Sequence, residues 1–153
     1  MVTIEEAKEI LLGLGLDSRY CNDRSARTLI ALANVTVDQS WEEATKEPFT
    51  IHKIIAQISE ILEHQYAENS RETIRKESLN PMRERGVVVK NEDDPSRATN
   101  SPASNYRLSE EALEIIRMYG NGVDMSNLRY DGTDILEPQI DFRNNAAIFR
   151  TRY

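Results

Sequence analysis

The stretch that decides the fold is Asn69-Ser-Arg-Glu-Thr-Ile-Arg-Lys-Glu-Ser-Leu-Asn-Pro-Met-Arg-Glu-Arg-Gly86. It predicts a helix capped by Ser70 or the asparagine before it, with basic and hydroxyl residues clustered in its first turns. Ile74 and Leu79 are expected on its buried side. Pro81 should end or kink the helix, although the next residues can add one turn that the final glycine closes.

The residues that follow this helix predict a β-hairpin. Residues 87–90 are rich in valine, and Asn105-Tyr-Arg-Leu108 has the pattern of a second strand. The segment between them, residues 91–104, contains Pro95 and Pro102 and is therefore expected to be a loop. A polar helix followed by a hairpin with a long tip is typical of a winged helix-turn-helix, in which such a helix contacts DNA. We expect a mainly α-helical fold with a small β-hairpin, winged helix-turn-helix-like.

Apolar spacing and helix caps predict four further helices around this centre. They cover residues 3–13, 22–33, 51–62 and 110–119, and a short turn is begun by the capping box Ser40-Trp-Glu-Glu43. The expected caps are Thr3, Asn22 or Asp23, Thr50 and Ser109, and Gly120 is expected to stop the last helix. Trp41 is expected in the core, with its N–H donating to a carbonyl. We expect one winged-helix-like DNA-binding domain over residues 1–120. Residues 121–153 are turn-rich, with a strand near the end, and form an appendage or the start of a second domain.

Charge is distributed unevenly along the chain. The net charge is −7, yet residues 69–107 contain 8 basic and 6 acidic residues and are net positive, whereas the segments on either side are net negative. Local potential attracts phosphate, because screening acts over about 10 Å. The single cysteine, Cys21, excludes an internal disulfide and a cysteine-based zinc cluster. The sequence shows neither a secretory signal nor a membrane-spanning segment, so we expect a cytoplasmic protein.

Several residues of the helix and hairpin are candidate DNA contacts. Hydroxyls at a helix start suit phosphate oxygens, and arginine or lysine reaches phosphates or guanine edges. Loop residues can enter the minor groove or touch the backbone. The predicted contacts are Ser70, Arg71, Thr73, Arg75, Lys76, Lys90, Arg97, Asn100 and Ser101. The alternative is that these residues are only a solvated helix face and a loop.

Separate motifs, in the same order, resemble those of the BsuBI/PstI family of type II restriction endonucleases. The resemblance spans roughly residues 11–119 and is carried by Asn22-Asp-Arg-Ser-Ala-Arg-Thr-Leu-Ile-Ala-Leu-Ala-Asn34, Ser40-Trp-Glu-Glu-Ala-Thr45, Asn69-Ser-Arg-Glu-Thr-Ile-Arg-Lys76, Asp94-Pro-Ser-Arg97 and Thr99-Asn-Ser-Pro102. It implies a helical, winged-helix-like domain that binds double-stranded DNA. In this family such a domain precedes a nuclease domain that cuts at a short palindrome.

The nuclease part of that expectation has no match in the sequence. A Mg²⁺-dependent nuclease centre of this type needs two acids and a lysine close together. Asp134-Ile-Leu-Glu137 is followed by Pro-Gln-Ile, and the last lysine of the chain is Lys90. We therefore expect no catalytic residues, metal ligands or cofactor here, and Mg²⁺ only in a nuclease domain outside these residues.

Three functions remain open from the sequence. The first is sequence-specific recognition of double-stranded DNA for a restriction enzyme, with a homodimer as one assembly. The second is a stand-alone winged-helix transcriptional regulator. The third is a protein-interaction or dimerisation module, for which the isoleucine-rich helix at residues 51–62 would be suited.

Overall fold

The computed structural model describes residues 2–99 and 101–125, together with the backbone of residues 136–141 and 146–151. Three helices precede the central stretch: α1 at Ile4–Gly13, α2 at Asp23–Ala33 and α3 at Ile51–Leu62. Each begins at the predicted polar cap. Thr3 forms a reciprocal capping box with Glu6, Asn22 accepts from the backbone of Ser25, and Thr50 caps α3. These caps satisfy backbone N–H groups that a helix start leaves without partners.

The central stretch forms a helix in three parts, which we call the composite helix. It consists of α4 at Ser70–Ile74, a π-helical turn at Arg75–Leu79 and α5 at Asn80–Glu84. The predicted side-chain cap at its start is wrong, because neither Asn69 nor Ser70 caps the helix through its side chain. Pro81 does not end the helix, which continues as the additional turn that the sequence allowed and is closed by Gly86, whose φ is +79°.

The π-helical turn explains both the continuation and the buried face. The Asn80 N–H donates to the carbonyl of Arg75, five residues earlier. This wider turn gives room before Pro81, whose ring crowds the preceding turn of a regular α-helix. It also brings Ile74 and Leu79 to one face, although residues five apart diverge in a regular α-helix. Both side chains are fully buried, as predicted.

The hairpin is confirmed and belongs to a three-stranded antiparallel sheet. Its strands are β1 at Phe49–Thr50, β2 at Val88–Lys90 and β3 at Asn105–Leu108, in the order β1-β3-β2. Tyr106 of β3 lies opposite Phe49 on one side and Lys90 on the other. With α2, α3 and the composite helix, this sheet gives the winged helix-turn-helix arrangement predicted from the sequence. The sequence did not indicate β1, because two residues are too few to show alternation.

Helix α6, at Glu110–Gly120, starts at its predicted cap, Ser109. Gly120 was expected to stop it but lies within it, where a Cβ would come 2.4 Å from the backbone nitrogen of Glu42. The glycine therefore permits close packing of α6 on the 3₁₀ turn at Trp41–Glu43. Trp41 is buried as predicted, but its Nε1 donates to the Glu6 carboxylate at 3.4 Å, not to a carbonyl.

The segment after α6 has two described parts. Val123 and Met125 pack into the same core as the helices. Further along, β4 at Leu136–Asp141 pairs antiparallel with β5 at Ala146–Thr151. The strand expected near the end of the chain corresponds to β5, whereas β4 was not predicted. The division of the chain at residues 120 and 121 stays a prediction.

A buried polar cluster joins α2 to the composite helix. The hydroxyl oxygens of Ser25 and Ser78 lie 2.9 Å apart, both residues are fully buried, and the Arg24 Nε donates to the Ser78 hydroxyl at 3.2 Å. Polar groups without water need such partners. The cluster therefore fixes the composite helix against the core at its π-helical turn.

Replacing Ser78→Ala should lower the free energy of unfolding by about 1–3 kcal/mol, because Ser25 and Arg24 lose their shared partner. Urea denaturation monitored by circular dichroism measures the change. The double variant Ser25→Ala/Ser78→Ala should lose less than the two single changes combined. Thr73→Ala, on the exposed side of the same helix, is the control, and a Ser78→Ala loss no larger than this control would contradict the prediction.

Candidate nucleic-acid interface

The composite helix and the loop of the hairpin enclose a groove with two adjoining clefts. We call residues 91–104 the wing loop. The N-terminal cleft, of about 440 Å³, lies between the start of the composite helix and the wing loop, and its lining includes Arg71, Glu72, Arg75, Thr99, Ser101 and Tyr106. The basic cleft, of about 260 Å³, is lined by Arg75, Asn80, Arg83, Glu84, Lys90 and Thr99. The two clefts meet at Arg75 and Thr99.

Arg75 is held in a defined orientation at this junction. Its Nε and one terminal nitrogen both donate to the Glu72 carboxylate, one turn earlier in the composite helix. The hydrogen bond to Glu72 raises the pKa of Arg75, and the same bond lowers the pKa of Glu72. A guanidinium has five N–H groups, so this side-on pair, which uses one N–H on Nε and one on a terminal nitrogen, leaves three terminal N–H groups available. The arrangement fixes the arginine without using all of its donors.

The other predicted residues of the composite helix lie near its start. Thr73 and Lys76 are exposed, whereas Ser70 is half-buried. The Lys76 ammonium lies 3.5 Å from Glu72, and the Arg71 guanidinium lies 4.0 Å from Glu68. These surface ion pairs are weak and exchange readily with other anions. The structure therefore brings five of the predicted residues together on one helix.

Arg97 organises the base of the wing loop. Its guanidinium donates to both carboxylate oxygens of Asp93, at 3.0 and 2.8 Å, and to the side-chain oxygen of Asn91 at 3.1 Å. Asn91 also accepts from the backbone of Asn105 on β3. Only 19% of the Arg97 side chain is exposed. Its donors therefore bind the loop itself, and direct DNA contact by Arg97 stays a prediction.

The remaining wing-loop predictions concern neighbouring residues. Ser101 is half-buried, its N–H donates to the Ala98 carbonyl, and its hydroxyl accepts from the backbone of Ala103. Asn100 lies outside the residues that the structure describes. Ser101 thus borders the N-terminal cleft while shaping the turn that closes it.

Lys90 projects from the end of β2 into the basic cleft. Its ammonium lies 5.8 Å from the ring centroid of Tyr106 and donates to the Thr99 carbonyl at 3.4 Å. Burial lowers the pKa of Lys90, and the nearby cations Arg83 and Arg75 lower it further. Burial raises the pKa of Tyr106, so the ring beneath the ammonium stays neutral and can support a cation–π contact.

Arg83 was missed by the sequence analysis. It is exposed, lines the basic cleft and forms no ion pair within the described part of the chain. The sequence carried no clear signal for it, because the π-helical turn between Lys76 and Arg83 changes which residues share a face of the helix.

Other titratable residues give no sign of a reactive centre. Burial raises the pKa of the Cys21 thiol to about 11, and its Sγ contacts the carbonyls of Leu16 and Asp17. His52 is exposed, and His64 packs edge-on to Tyr66 with a centroid distance of 4.6 Å. Within residues 2–99 and 101–125, no group of three or more His, Cys, Asp or Glu side chains is placed to hold a metal ion. No described helix is long and apolar enough to span a bilayer.

Comparisons with known proteins give consistent matches. The family described as the BsuBI/PstI restriction endonuclease HTH domain matches residues 1–129. The chain is 36% identical over 116 residues to the type II restriction enzyme BsuBI of Bacillus subtilis and 26% identical over 116 residues to the type II restriction enzyme AplI of Arthrospira platensis. Each match covers 76% of this chain but only 37% and 36% of those enzymes. The chain therefore spans little more than a third of these relatives.

The fold is also similar to a solved structure, that of the SdaI restriction endonuclease. The TM-score is 0.76 at 26% sequence identity, and the similarity covers 99% of this chain and 52% of that protein. The mainly helical architecture with its small sheet is thus found in a restriction endonuclease.

The wing loop should depend on the carboxylate of Asp93. Replacing Asp93→Asn removes the ion pair with Arg97, so tryptic cleavage after Arg97 should become several-fold faster. Limited proteolysis followed by mass spectrometry measures the rate. Asp38→Asn, which changes an exposed acid on another loop, is the control, and equal cleavage rates in the two variants would contradict the prediction.

The same ion pair predicts a pH dependence. Pairing with Arg97 lowers the pKa of Asp93 well below its usual 3.8. Its stabilising effect on the wing loop should therefore be complete above about pH 4 and be lost only as the pH falls through the lowered pKa. Carboxyl NMR titration measures this, and a midpoint for Asp93 at or above 3.8 would contradict the assignment.

Proposed function

The chain belongs to the BsuBI/PstI restriction endonuclease HTH-domain family, and from that membership we propose that its winged-helix domain recognises a specific sequence in double-stranded DNA. The observation that carries the proposal is the groove between the composite helix and the wing loop. That groove places Arg75, Arg83 and Lys90 around one cleft in a chain whose net charge is −7. Positive potential at one site of an acidic protein favours one binding face for DNA.

Arg75 is the residue best prepared to read a base. Glu72 takes its side-on donors, so the two outer N–H groups at its end remain in the geometry that guanine O6 and N7 accept. An arginine fixed before binding loses less side-chain entropy when it contacts the base. One bidentate contact of this kind is worth about 1–3 kcal/mol of discrimination between bases.

The neighbouring residues suit the DNA backbone. Thr73 and Lys76 are exposed beside Arg75, and hydroxyl and ammonium groups are common partners of phosphate oxygens. The groove is also bordered by Arg71 and Ser101, and its helix begins at Ser70. Asn100 lies outside the described residues. On this proposal Arg97 acts indirectly, because its donors hold the wing loop in shape.

We propose DNA cleavage only for a longer protein that contains this chain together with a nuclease domain. The chain spans little more than a third of the restriction enzymes that it matches, and the described residues offer no metal-holding cluster. We assign no catalytic step to them and expect Mg²⁺ only with a nuclease domain elsewhere. The role within a restriction–modification system, the cytoplasmic location and the homodimer also stay predictions. Size-exclusion chromatography with and without a duplex tests the homodimer.

The two alternatives differ in how they use the fold. A stand-alone transcriptional regulator would use the same groove, and an adjacent DNA methyltransferase gene would favour restriction over regulation. An interaction module would use the isoleucine face of α3. Ile54 and Ile58 of that face are fully buried in the core of the domain itself, so the structure favours DNA binding over this module.

Selection from a random duplex pool with residues 1–153 should yield an enriched sequence. Replacing Arg75→Ala and Lys76→Ala together should weaken binding to it by at least about tenfold, because a base contact and a phosphate contact are lost. Fluorescence anisotropy at several salt concentrations measures this affinity. The affinity of the unaltered chain should fall with salt along a straight line in logarithmic coordinates.

The matched control is Arg19→Ala/Lys46→Ala, which removes the same charge from two exposed residues that line neither cleft. This control should retain nearly the affinity of the unaltered chain. Unchanged DNA affinity in Arg75→Ala/Lys76→Ala would overturn the site assignment. Failure of the unaltered chain to bind any duplex would overturn the proposed function.

A further inference from the structure

We propose that the basic cleft binds one phosphodiester group of the DNA backbone, held between Arg83 on α5 and Lys90 at the end of β2. The proposal rests on the proposed function and adds Arg83, which was not among the residues predicted from the sequence, to a site with Lys90. It separates two tasks within the groove. The start of the composite helix discriminates between bases. The phosphate contact near the other end of that helix sets the register of the domain on the duplex.

The charges that line the basic cleft are unbalanced. Three cations line the cleft, namely Arg75, Arg83 and Lys90, against a single carboxylate, Glu84. Arg75 is already paired with Glu72. Arg83 and Lys90 form no ion pair within the described part of the chain. Two cations therefore share a cleft, and neither is paired with a carboxylate of the described residues. An incoming anion would neutralise this excess positive charge.

Lys90 is held in place within the basic cleft. Its ammonium lies over the ring of the fully buried Tyr106 and donates to the Thr99 carbonyl. An ammonium has three donors, so the others remain for a ligand. Arg83 and Arg75 lower the pKa of Lys90, and an anion between these cations would oppose that repulsion. The lysine is thus partly desolvated and positioned before any ligand arrives.

The remaining lining of the basic cleft also suits a phosphate group. Asn80 and Thr99 add an amide and a hydroxyl to the cleft, and both groups donate to phosphate oxygens in protein–DNA complexes. The cleft adjoins the N-terminal cleft through Arg75 and Thr99. Because Arg75 lines both clefts, a duplex that contacts Arg75 lies beside the basic cleft. The lining suits a phosphate group, whereas base edges need a defined pattern of donors and acceptors.

A phosphate site and a base-reading site differ in their effects on binding. Loss of a phosphate contact weakens binding to every sequence by the same factor and makes the salt dependence shallower by about one unit of slope. Loss of a base contact weakens binding mainly to the selected sequence. The two outcomes can be measured on the same protein.

The experiment compares residues 1–153 with the variant Arg83→Gln/Lys90→Gln on the selected duplex and on a random duplex. We expect affinity for both to fall by the same factor, at least about tenfold, with a shallower salt slope. The single variant Arg83→Gln should show part of this loss. Since Arg83 is exposed, this change should leave thermal unfolding unaltered. Arg19→Gln/Lys46→Gln is the charge-matched control.

Single methylphosphonate substitutions along each strand then locate the contact. One neutral substitution should weaken binding by the unaltered chain but have no effect on Arg83→Gln/Lys90→Gln. Unchanged affinity in that variant, a loss confined to the selected sequence, or equal sensitivity of both proteins at every position would overturn the phosphate site. In each of these outcomes the unaltered chain still binds DNA, so the proposed function would stand.

Discussion

The groove depends on one irregularity of the backbone, the π-helical turn between Arg75 and Leu79. The extra residue in this turn rotates everything that follows relative to α4. It allows Ile74 and Leu79 to share the core, and it lets the helix continue through Pro81 to Arg83. Without it, either one apolar residue would face water or the helix would end at the proline. π-Helical turns are often found at functional sites, and here the turn lies where both clefts meet.

Polar contacts then hold this irregular helix in place. Ser78, within the π-helical turn, bonds to Ser25 and Arg24 of α2, while Glu72 fixes Arg75 on the opposite, partly exposed side. The wing loop is held separately by Arg97 and Asp93. Both walls of the groove are thus constrained by contacts within the domain, which on the proposed function precede DNA binding. Such preorganisation reduces the entropy lost on binding.

The sequence predicted the fold well and the site only in part. Caps, apolar spacing and the hairpin were local signals, so the bounds of most helices followed from them. The π-helical turn was not predictable in this way, because Pro81 locally favours a helix end and only tertiary burial of Leu79 overrides it. The ion pair of Arg97 was equally hidden, because its partner Asp93 lies in a loop, where sequence spacing does not fix geometry. Arg83 was not among the predicted contacts, because the sequence does not show which face of the helix follows the π-helical turn.

The acidic remainder of the domain contributes to this arrangement. Residues 1–68 contain 12 acidic and 6 basic residues, whereas residues 69–107 are net positive. An acidic surface repels the DNA backbone, so a modest local excess of cations is enough to choose the binding face. In a strongly basic domain many orientations would bind DNA weakly and without specificity. On the proposed function, the net charge of −7, which alone argues against DNA binding, would restrict where a duplex can approach and leave the groove as the favoured side.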